Sequence, residues 1–248
     1  LEEIGVKKLD YILLTHIHID HAGGTGKLLN AFPDAKVLCH PKGIEHMLNP
    51  GKLWEGSLKI LGEIANAYGE IVSVPQGCIF FEKNIKRGND TIEVIETPGH
   101  APHHVSYAFK QYLFAGEVAG VYQPLPDKMY LRPATPPKFK LKISLSSLEK
   151  VLTKNPEMIC FGHYGFHKEP FKMLTLAKEQ LVLWTEVIKE QRTGGEEATE
   201  KKIIERLMEK DQTFFNYQYL DGDIKARENY FVINSIKGMK EYVNGVIT

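Results

Sequence analysis

The chain has 248 residues, of which 43% are hydrophobic and 25% are charged, a balance typical of one globular domain with or without a small appendage. Lysine plus arginine and aspartate plus glutamate both number 31, so the net charge is zero with histidine neutral, which argues against a general nucleic-acid-binding protein. The three cysteines lie far apart without a Cys-x-x-Cys pair, which argues against a disulfide framework or a zinc ribbon.

Two further features bear on location. No apolar run approaches the ~20 residues that cross a bilayer, and residues 1–4 resemble neither a signal peptide nor a lipidation site. Thiols without pairing partners suit a reducing compartment. We therefore expect a cytoplasmic protein that does not contact a membrane.

The first part of the chain alternates strand and helix signals. Residues 8–15 are apolar nearly throughout, as in a strand covered on both faces, and several glycines then allow a tight turn. Hydrophobic periodicity predicts, in chain order, a helix over 27–32, a strand over 36–39, and helices over 41–48 and 53–67.

The middle of the chain turns to β structure. Apolar runs between turn residues predict strands over 71–74, 91–95, 105–109 and 112–115. Residues 123–138 contain five prolines and predict an ordered loop with little regular structure. A helix over 144–152 and a last strand over 158–161 follow.

Beyond Pro170 the pattern becomes helical. An apolar stripe from Met173 to Ile188 predicts one helix, a polar break at 192–197 follows, and two more helices are predicted around 203–208 and over 224–246. The predicted organisation is an α/β domain over 1–170 and a helical C-terminal extension over 171–248.

A histidine-rich stretch directly after the first strand carries the chemistry. His16 and His18 are two residues apart, so in extended chain they point the same way and can converge on one ion. After the chain turns, Asp20 and His21 can face a second ion beside the first. These ligands suit zinc, iron and manganese, and α/β folds place their sites at the C-terminal ends of buried strands.

Three more ligand-type side chains follow later strands. His100 ends the tight turn after strand 91–95, Glu117 follows strand 112–115, and His163 follows strand 158–161. Like His16, each of them lies just after a predicted strand, where ligand geometry is plausible.

The motifs make the chain similar to the metallo-β-lactamase superfamily. Thr-His-Ile-His-Ile-Asp-His-Ala-Gly-Gly at 15–24 is highly specific for that family, and Thr-Pro-Gly-His-Ala-Pro-His-His at 97–104 resembles a motif of glyoxalase II and lactonase-like members. The resemblance runs over residues 9–163. It implies an α/β fold, a four-layer αββα sandwich with metal ions at one edge.

The resemblance also implies a site for two divalent metal ions, zinc first, with iron or manganese as alternatives. The implied ligands are His16, His18 and His100 for the first ion, Asp20, His21 and His163 for the second, and Glu117 bridging both. A metal-bound hydroxide would attack the substrate. Asp20, the expected catalytic residue, would orient the nucleophile and return a proton to the leaving group.

The chain departs from the family in two places. Glu117 stands where the family has aspartate, and its extra methylene moves the carboxylate by about one C–C bond, against a tolerance of roughly ±0.2 Å in ligand distance. The carboxylate then bridges only if the backbone withdraws, and otherwise it binds one metal or weakens one site. The β-hairpin that usually precedes the histidine motif is expected to be missing.

Several side chains are candidates for substrate binding. Tyr122, Tyr130 and Arg132 follow Glu117 in the chain and would line the metal edge, where Arg132 could hold an anionic group; ordinary packing is the alternative. His104 is expected either to contact substrate or to make structural hydrogen bonds. The remaining histidines are expected at the surface or in structural roles: His40, His46, His103 and His167.

The leading functional hypothesis is hydrolysis of a small ester, thioester or lactone. The alternatives are a phosphodiesterase or nuclease, a mononuclear iron oxygenase of the persulfide dioxygenase kind, and a binding protein with a decayed site. The zero net charge disfavours the nuclease. The expected partners are a small-molecule substrate and, through the amphipathic C-terminal helices, a second copy of the chain in a homodimer.

Overall fold

Two β-sheets form the centre of the fold in the computed structural model, which describes residues 1–191 and 199–245. The first sheet is parallel and contains, in spatial order, β1 (Tyr11–Leu13), β2 (Lys36–Leu38) and β3 (Ile79–Phe80). A separate hairpin consists of β8 (Val121–Leu125) and β9 (Lys128–Arg132).

The second sheet has six strands: β4 (Asn84–Arg87), β5 (Asp90–Glu96), β6 (Val105–Phe109), β7 (Tyr112–Gly116), β10 (Met158–Phe161) and β11 (Phe166–His167). Their order is β11-β10-β7-β6-β5-β4. The pair β10–β7 is parallel, and the other neighbouring pairs are antiparallel.

Helices cover the outer faces of both sheets. Those before β3 are α1 (Ile19–Ala22), α2 (Thr25–Ala31), α3 (Pro41–Leu48), α4 (Gly51–Leu61) and α5 (Glu63–Tyr68). The later ones are α6 (Leu141–Leu152), α7 (Pro170–Glu190), α8 (Glu200–Lys210), α9 (Gln212–Phe215) and α10 (Gly222–Val243).

The alternation of side chains along the strands explains the layers. In β2, Val37 packs among residues of α2 and α3, whereas Leu38 packs among residues of β4, β5 and β6. In β5, Val94 joins the same cluster between the sheets, and Ile95 faces the core formed with α6 and α7. Because successive strand residues point to opposite faces, each sheet has one face on its partner and one on helices. The expected αββα sandwich is confirmed.

One predicted helix is two helices in the structure. The prediction over 53–67 is divided at Gly62, which has φ +54° and ends α4 before α5 begins. This left-handed backbone conformation costs glycine little, and it turns the chain between the two helices.

The prediction of a strand over 71–74 was wrong. Val74 donates its backbone hydrogen bond to Met47 O rather than to a neighbouring strand. The apolar pattern arises because Ile71 and Val74 are buried in two different hydrophobic clusters. Apolar spacing here reports burial and not sheet pairing.

The predicted loop over 123–138 was also wrong in part, because β8 and β9 pair there. Pro124 lies opposite Met129, and Asp127 takes φ +58° in the turn. A two-stranded hairpin has two edges, so a proline can lie in a strand where its missing N–H breaks no ladder bond.

The helical C-terminal extension is present as predicted. The stripe on α7 is buried and includes Met173, Leu181 and Trp184, which join the core beneath the second sheet. The predicted break at 192–197 lies outside the described residues. The helix predicted over 224–246 spans Gly222–Val243 in the structure and therefore ends earlier than predicted.

Within residues 1–191 and 199–245, no helix has the combination of length and apolarity needed to cross a membrane. The division of the chain near residue 170 stays a prediction. The homodimer through the C-terminal helices stays one too.

Candidate metal centre

The predicted ligands follow strands that end at one edge of the sandwich. Val105 N, at the start of β6, donates to Thr15 O just after β1 (2.8 Å). Gly162 N, just after β10, donates to Gly116 O at the end of β7 (2.9 Å). These bonds hold the strand ends of both sheets together, so the loops that carry the ligands lie side by side.

The first cluster comprises His16, His18, His100 and Glu117, whose ligand atoms all lie within 4.8 Å of one another. Nε2 of His100 is 2.9 Å from Nδ1 of His18 and 2.9 Å from Oε2 of Glu117. Nε2 of His16 is 3.3 Å from the same oxygen. Bonds of about 2.0–2.1 Å around a tetrahedral ion separate the ligand atoms by roughly 3.3 Å, so the cluster matches one ion.

The second cluster comprises Asp20, His21 and His163. Oδ2 of Asp20 is 3.5 Å from Nε2 of His21 and 3.7 Å from Nε2 of His163. Helix α1 begins one residue before Asp20, so its first turn presents Asp20 and His21. The side chains of Asp20 and His163 are 23% and 29% exposed, which makes this cluster more open to solvent than the first.

The carboxylate of Glu117 lies between the two clusters. Its Oε2 is 3.5 Å from Nε2 of His21, and its Oε1 is 3.7 Å from Nε2 of His163. The same Oε2 also contacts the first cluster. Every residue predicted from sequence as a metal ligand is therefore present at this edge.

A buried hydrogen-bond chain fixes the backbone that carries Glu117. Nε2 of His104 accepts from Glu117 N at 3.0 Å, and its Nδ1 lies 2.8 Å from Oγ1 of Thr97. Gly116 has φ +58°, and a Cβ there would lie 2.6 Å from Nε2 of His104. His104 is fully buried, so its geometry matches the structural alternative and places it out of reach of a substrate.

Burial sets the protonation of the first cluster. It lowers the pKa of His18 to about 3, with the nearby His100 adding to the shift, and it holds the pKa of His16 well below its usual range. Burial alone would raise the pKa of Glu117, but His100, His16 and His21 outweigh it and hold that pKa well below its usual range. At neutral pH His16 and His18 thus offer neutral imidazoles and Glu117 offers a charged carboxylate, the forms that bind metal.

The ligand atoms of the two clusters are better suited to binding cations than to hydrogen bonding with one another. Nε2 of His16 and Nε2 of His21 are buried, and neither has a hydrogen-bond partner. Nδ1 of His100 lies 3.0 Å from Ala134 O, to which it can donate only in the tautomer that leaves Nε2 free as a ligand. Buried polar atoms without partners are rare in native proteins, and here a bound cation would supply the missing partner.

The residues expected to bind substrate are mostly occupied elsewhere. Nε and Nη2 of Arg132 donate to the two carboxylate oxygens of Glu228, at 2.5 and 3.2 Å, and Tyr130 OH donates to Oε2 at 3.0 Å. Arg132 is only 3% exposed. This corrects the expectation that its guanidinium holds an anionic substrate group. Tyr122 is buried as well, and it stacks on Phe161.

The remaining histidines act mainly in local structure. Nδ1 of His40 accepts from Lys42 N at the start of α3, as the structural alternative predicted. Nδ1 of His167 accepts from Glu169 N outside both clusters. His103, expected at the surface, is half-buried, and its Nδ1 accepts from Ile17 N at 3.4 Å, between the two ligands of the first motif.

Helix α10 brings a cation that the sequence did not single out to the second cluster. Nη2 of Arg227 donates to the hydroxyl of Tyr164, the residue directly after His163. Among the described residues, Arg227 makes no ion pair with a carboxylate. Burial raises the pKa of Tyr68, and the nearby Asp20 raises it further. Tyr68, Tyr164 and Arg227 together form the rim of the second cluster. The contact joins positions 63 residues apart, which no local pattern could reveal.

Comparison with known proteins agrees with this geometry. A family model described as the metallo-beta-lactamase superfamily matches residues 1–163. The chain is 34% identical over 165 residues to the metallo-beta-lactamase fold-containing protein ST1585 of Sulfurisphaera tokodaii, covering 64% of this chain and 61% of that protein. It is also 34% identical over 119 residues to a hydroxyacylglutathione hydrolase of Buchnera aphidicola, covering 47% of this chain and 37% of the relative.

Solved structures share the fold. The crystal structure of ST1585 from Sulfolobus tokodaii superimposes with a TM-score of 0.70 at 25% identity, covering 95% of this chain and 82% of that one. A metallo-beta-lactamase family protein from Thermus thermophilus, TTHA1429, gives 0.66 at 17% identity, with 99% and 78% covered, which speaks to fold alone. With its two ligand clusters and the matched model, the chain belongs to the metallo-β-lactamase superfamily.

Proposed function

We propose that the protein is a metal-dependent hydrolase that cleaves a small ester, thioester or lactone, using two divalent ions with zinc as the first candidate. One observation carries the proposal. Two clusters of ligand atoms, each able to hold one ion, meet at the carboxylate of Glu117. A pair of adjacent ions is an arrangement suited to hydrolysis.

When bound, the ions supply a nucleophile at neutral pH by lowering the pKa of water from 15.7 to about 7, and they polarise the bond under attack. Asp20 is the residue to which we assign proton transfer, because its carboxylate is part of the second cluster and is partly open to solvent. It orients the attacking water, accepts its proton and returns a proton to the leaving group. General acid–base catalysis of this kind contributes about 10²–10⁴-fold.

The substrate class rests on the surroundings of the site. A relative named hydroxyacylglutathione hydrolase supports acyl-transfer chemistry on a thioester. The zero net charge gives no support to a polyanionic substrate such as RNA. Arg227 lies on the rim without a carboxylate partner among the described residues, which favours substrates that carry one local anionic group.

The proposal is tested by hydrolysis assays on the metal-loaded protein with thioesters, carboxylate esters, lactones and phosphodiesters. We expect turnover of at least one acyl substrate, and in Asp20→Asn a fall in kcat of about 100-fold or more. His46→Ala is the matched control, because His46 belongs to neither ligand cluster. It should retain wild-type activity.

Two results would count against the proposal. Hydrolysis of phosphodiesters alone would assign the site to the phosphodiesterase class. No turnover of any acyl substrate by a protein shown to hold its metal would contradict the hydrolase.

A further inference from the structure

Two buried serines of helix α6 have different hydroxyl environments. Ser144 and Ser147 lie three residues apart, so they share one face of the helix, and they are 6% and 1% exposed. Oγ of Ser147 donates to Pro98 O at 2.6 Å. Oγ of Ser144 is buried and has no hydrogen-bond partner among the described residues. Because a buried hydroxyl without a partner is unfavourable, its position calls for a ligand or another compensating contact.

The carbonyl that would normally satisfy the hydroxyl of Ser144 is already occupied. A serine inside a helix usually bonds to the carbonyl four residues earlier, which here is that of Lys140. This carbonyl accepts from Ile143 N and from Ser144 N, both at 3.1 Å. A carbonyl oxygen has two lone pairs, so the hydroxyl must find its partner outside the first turn of α6.

Ser144 packs against the turn that carries a predicted metal ligand. Gly99, the residue before His100, has φ +153°, and a Cβ there would lie 2.6 Å from Oγ of Ser144. Glycine at this position therefore allows the close approach of the helix. In the same turn, Nδ1 of His100 lies 3.0 Å from Ala134 O. The hydroxyl of Ser144 thus lies beside the backbone that positions His100.

A small cavity adjoins this hydroxyl. It lies between α6, α7 and the loops after β5, β7 and β9, and its lining includes Gly99, His100, Glu117, Ala134 and Ser144. Its space for the centre of a water molecule is about 10 Å³, at the lower limit of the ~10–15 Å³ that one water requires. Ala134 O keeps a second lone pair when it accepts from His100. The cavity therefore has the size and the polar groups to bind a single water.

We propose that this cavity is a binding site for one ordered water molecule, which accepts a hydrogen bond from Ser144 and donates one to Ala134 O. The water links α6 to the carbonyl that orients His100, which makes Ser144 a positioning residue for that ligand. Hydrogen-bonded partners of metal-binding histidines fix the orientation of the ring, and their loss typically costs about 10–100-fold in metal affinity. The water site belongs to the metal-free chain, whereas the positioning role rests on the proposed metal-dependent function.

The water site is tested by a crystal structure of the metal-free chain at a resolution that shows ordered waters. We expect a density peak about 2.5–3.0 Å from Oγ of Ser144 and within hydrogen-bond reach of Ala134 O. The peak should be absent in Ser144→Ala and present in Ser147→Ala, the matched control on the same face of α6.

The wild-type structure alone can overturn the water site, even if a variant fails to fold. The absence of the peak, or a bond from Oγ of Ser144 to a protein atom, would contradict the proposal. A peak that persists unchanged in Ser144→Ala would show that Ser144 does not bind the water. None of these results depends on whether the protein hydrolyses esters.

The positioning role is tested by titration of the metal-free chain with Zn²⁺ against a competing chelating dye. Ser144→Ala should weaken zinc binding by about tenfold, the lower end of the range for such partners, because a water intervenes. The urea midpoint of the metal-free variant should change little, since no bond to a protein atom is lost. Ser147→Ala should have the opposite effects, a lower urea midpoint and a smaller change in zinc affinity, because it removes the bond to Pro98 O. Equal zinc affinities in the wild type and in a folded Ser144→Ala variant would contradict the positioning role.

Discussion

Two buried glutamates in this chain have opposite surroundings. Glu228 accepts hydrogen bonds from Arg132 through two nitrogens and from Tyr130, so both its oxygens have partners. Glu117 lies among histidines, and two of the nearby ring nitrogens have no hydrogen-bond partner. In each case burial alone would raise the pKa of the carboxyl, and neighbouring groups lower it instead: Arg132 at Glu228, and His100 at Glu117.

This difference distinguishes a carboxylate with a structural role from one suited to binding a ligand. A buried carboxylate whose partners are all supplied by the chain is complete, and its role is to join β9 to α10. A buried carboxylate whose neighbours lack partners is complete only with a ligand.

The largest effect is expected from Glu117→Gln. The neutral amide keeps the shape but loses the charge that would serve both ions of the proposed centre, so metal affinity and kcat/KM should fall by more than about 100-fold. The unfolding free energy of the metal-free chain should change much less. Calorimetric metal titration, steady-state kinetics and urea denaturation measure the three quantities. Unchanged metal affinity would show that Glu117 is not a ligand.

Glu228→Gln should have the opposite effects, with a large loss of unfolding free energy and little change in metal affinity. It leaves the buried Arg132 without its counter-charge and should lower the unfolding free energy by about 3–5 kcal/mol. It changes no residue of either ligand cluster. Because the pKa of Glu228 is lowered in the folded state, the contribution is present above the ordinary value of 4.5 and is lost as pH falls through the folded value. Urea denaturation beside Glu186→Gln, an exposed glutamate on α7, is the measurement. A loss no larger than that of the control would contradict this account.

An intermediate effect is expected from the pH dependence of the metal-free protein. Burial holds the pKa of His104 well below its ordinary value of 6.5, so this histidine stays neutral when folded and takes a proton when unfolded. Its contribution is present above pH 6.5 and is lost as pH falls toward the folded value, by about 1.4 kcal/mol per pH unit. His104→Gln should therefore lose less stability than the wild type between about pH 6.5 and about pH 5.5. If urea denaturation gives the same change of unfolding free energy with pH for His104→Gln and the wild type, the pH dependence comes from other groups.

The smallest effect is expected from Arg227→Met. A guanidinium at the rim forms charge-assisted hydrogen bonds, but its exposure weakens them, so kcat/KM for an ester with a carboxylate side group should fall by about tenfold. An uncharged ester of equal length should be affected little. Lys237→Met, an exposed cation elsewhere on α10, is the control. Equal losses on both esters would mean that Arg227 supports the fold and not the substrate.

The sequence revealed the ligand clusters because their signals are local. His16, His18, Asp20 and His21 lie within six residues, and His100, Glu117 and His163 each lie within five residues of the end of a predicted strand. Where partners are distant, the sequence misled. Arg132 was a candidate for binding an anion, with ordinary packing as the alternative, because nothing in the sequence indicates its pairing with Glu228, 96 residues away.

The fold shows the same limit. The αββα sandwich was expected from the family resemblance of the motifs at 15–24 and 97–104, and the two buried faces of β2 and β5 show how the chain forms it. The hairpin of β8 and β9 was hidden by its prolines, which an edge strand tolerates. The break at Gly62 depends on a backbone angle that glycine permits but does not require.

We propose that the seven predicted ligands form one two-ion centre around Glu117. The most direct test is a crystal structure of the metal-loaded protein with anomalous diffraction data. We expect two peaks about 3.5–4 Å apart, one within each ligand cluster, with the carboxylate of Glu117 between them. A single peak, or peaks remote from Glu117, would contradict it.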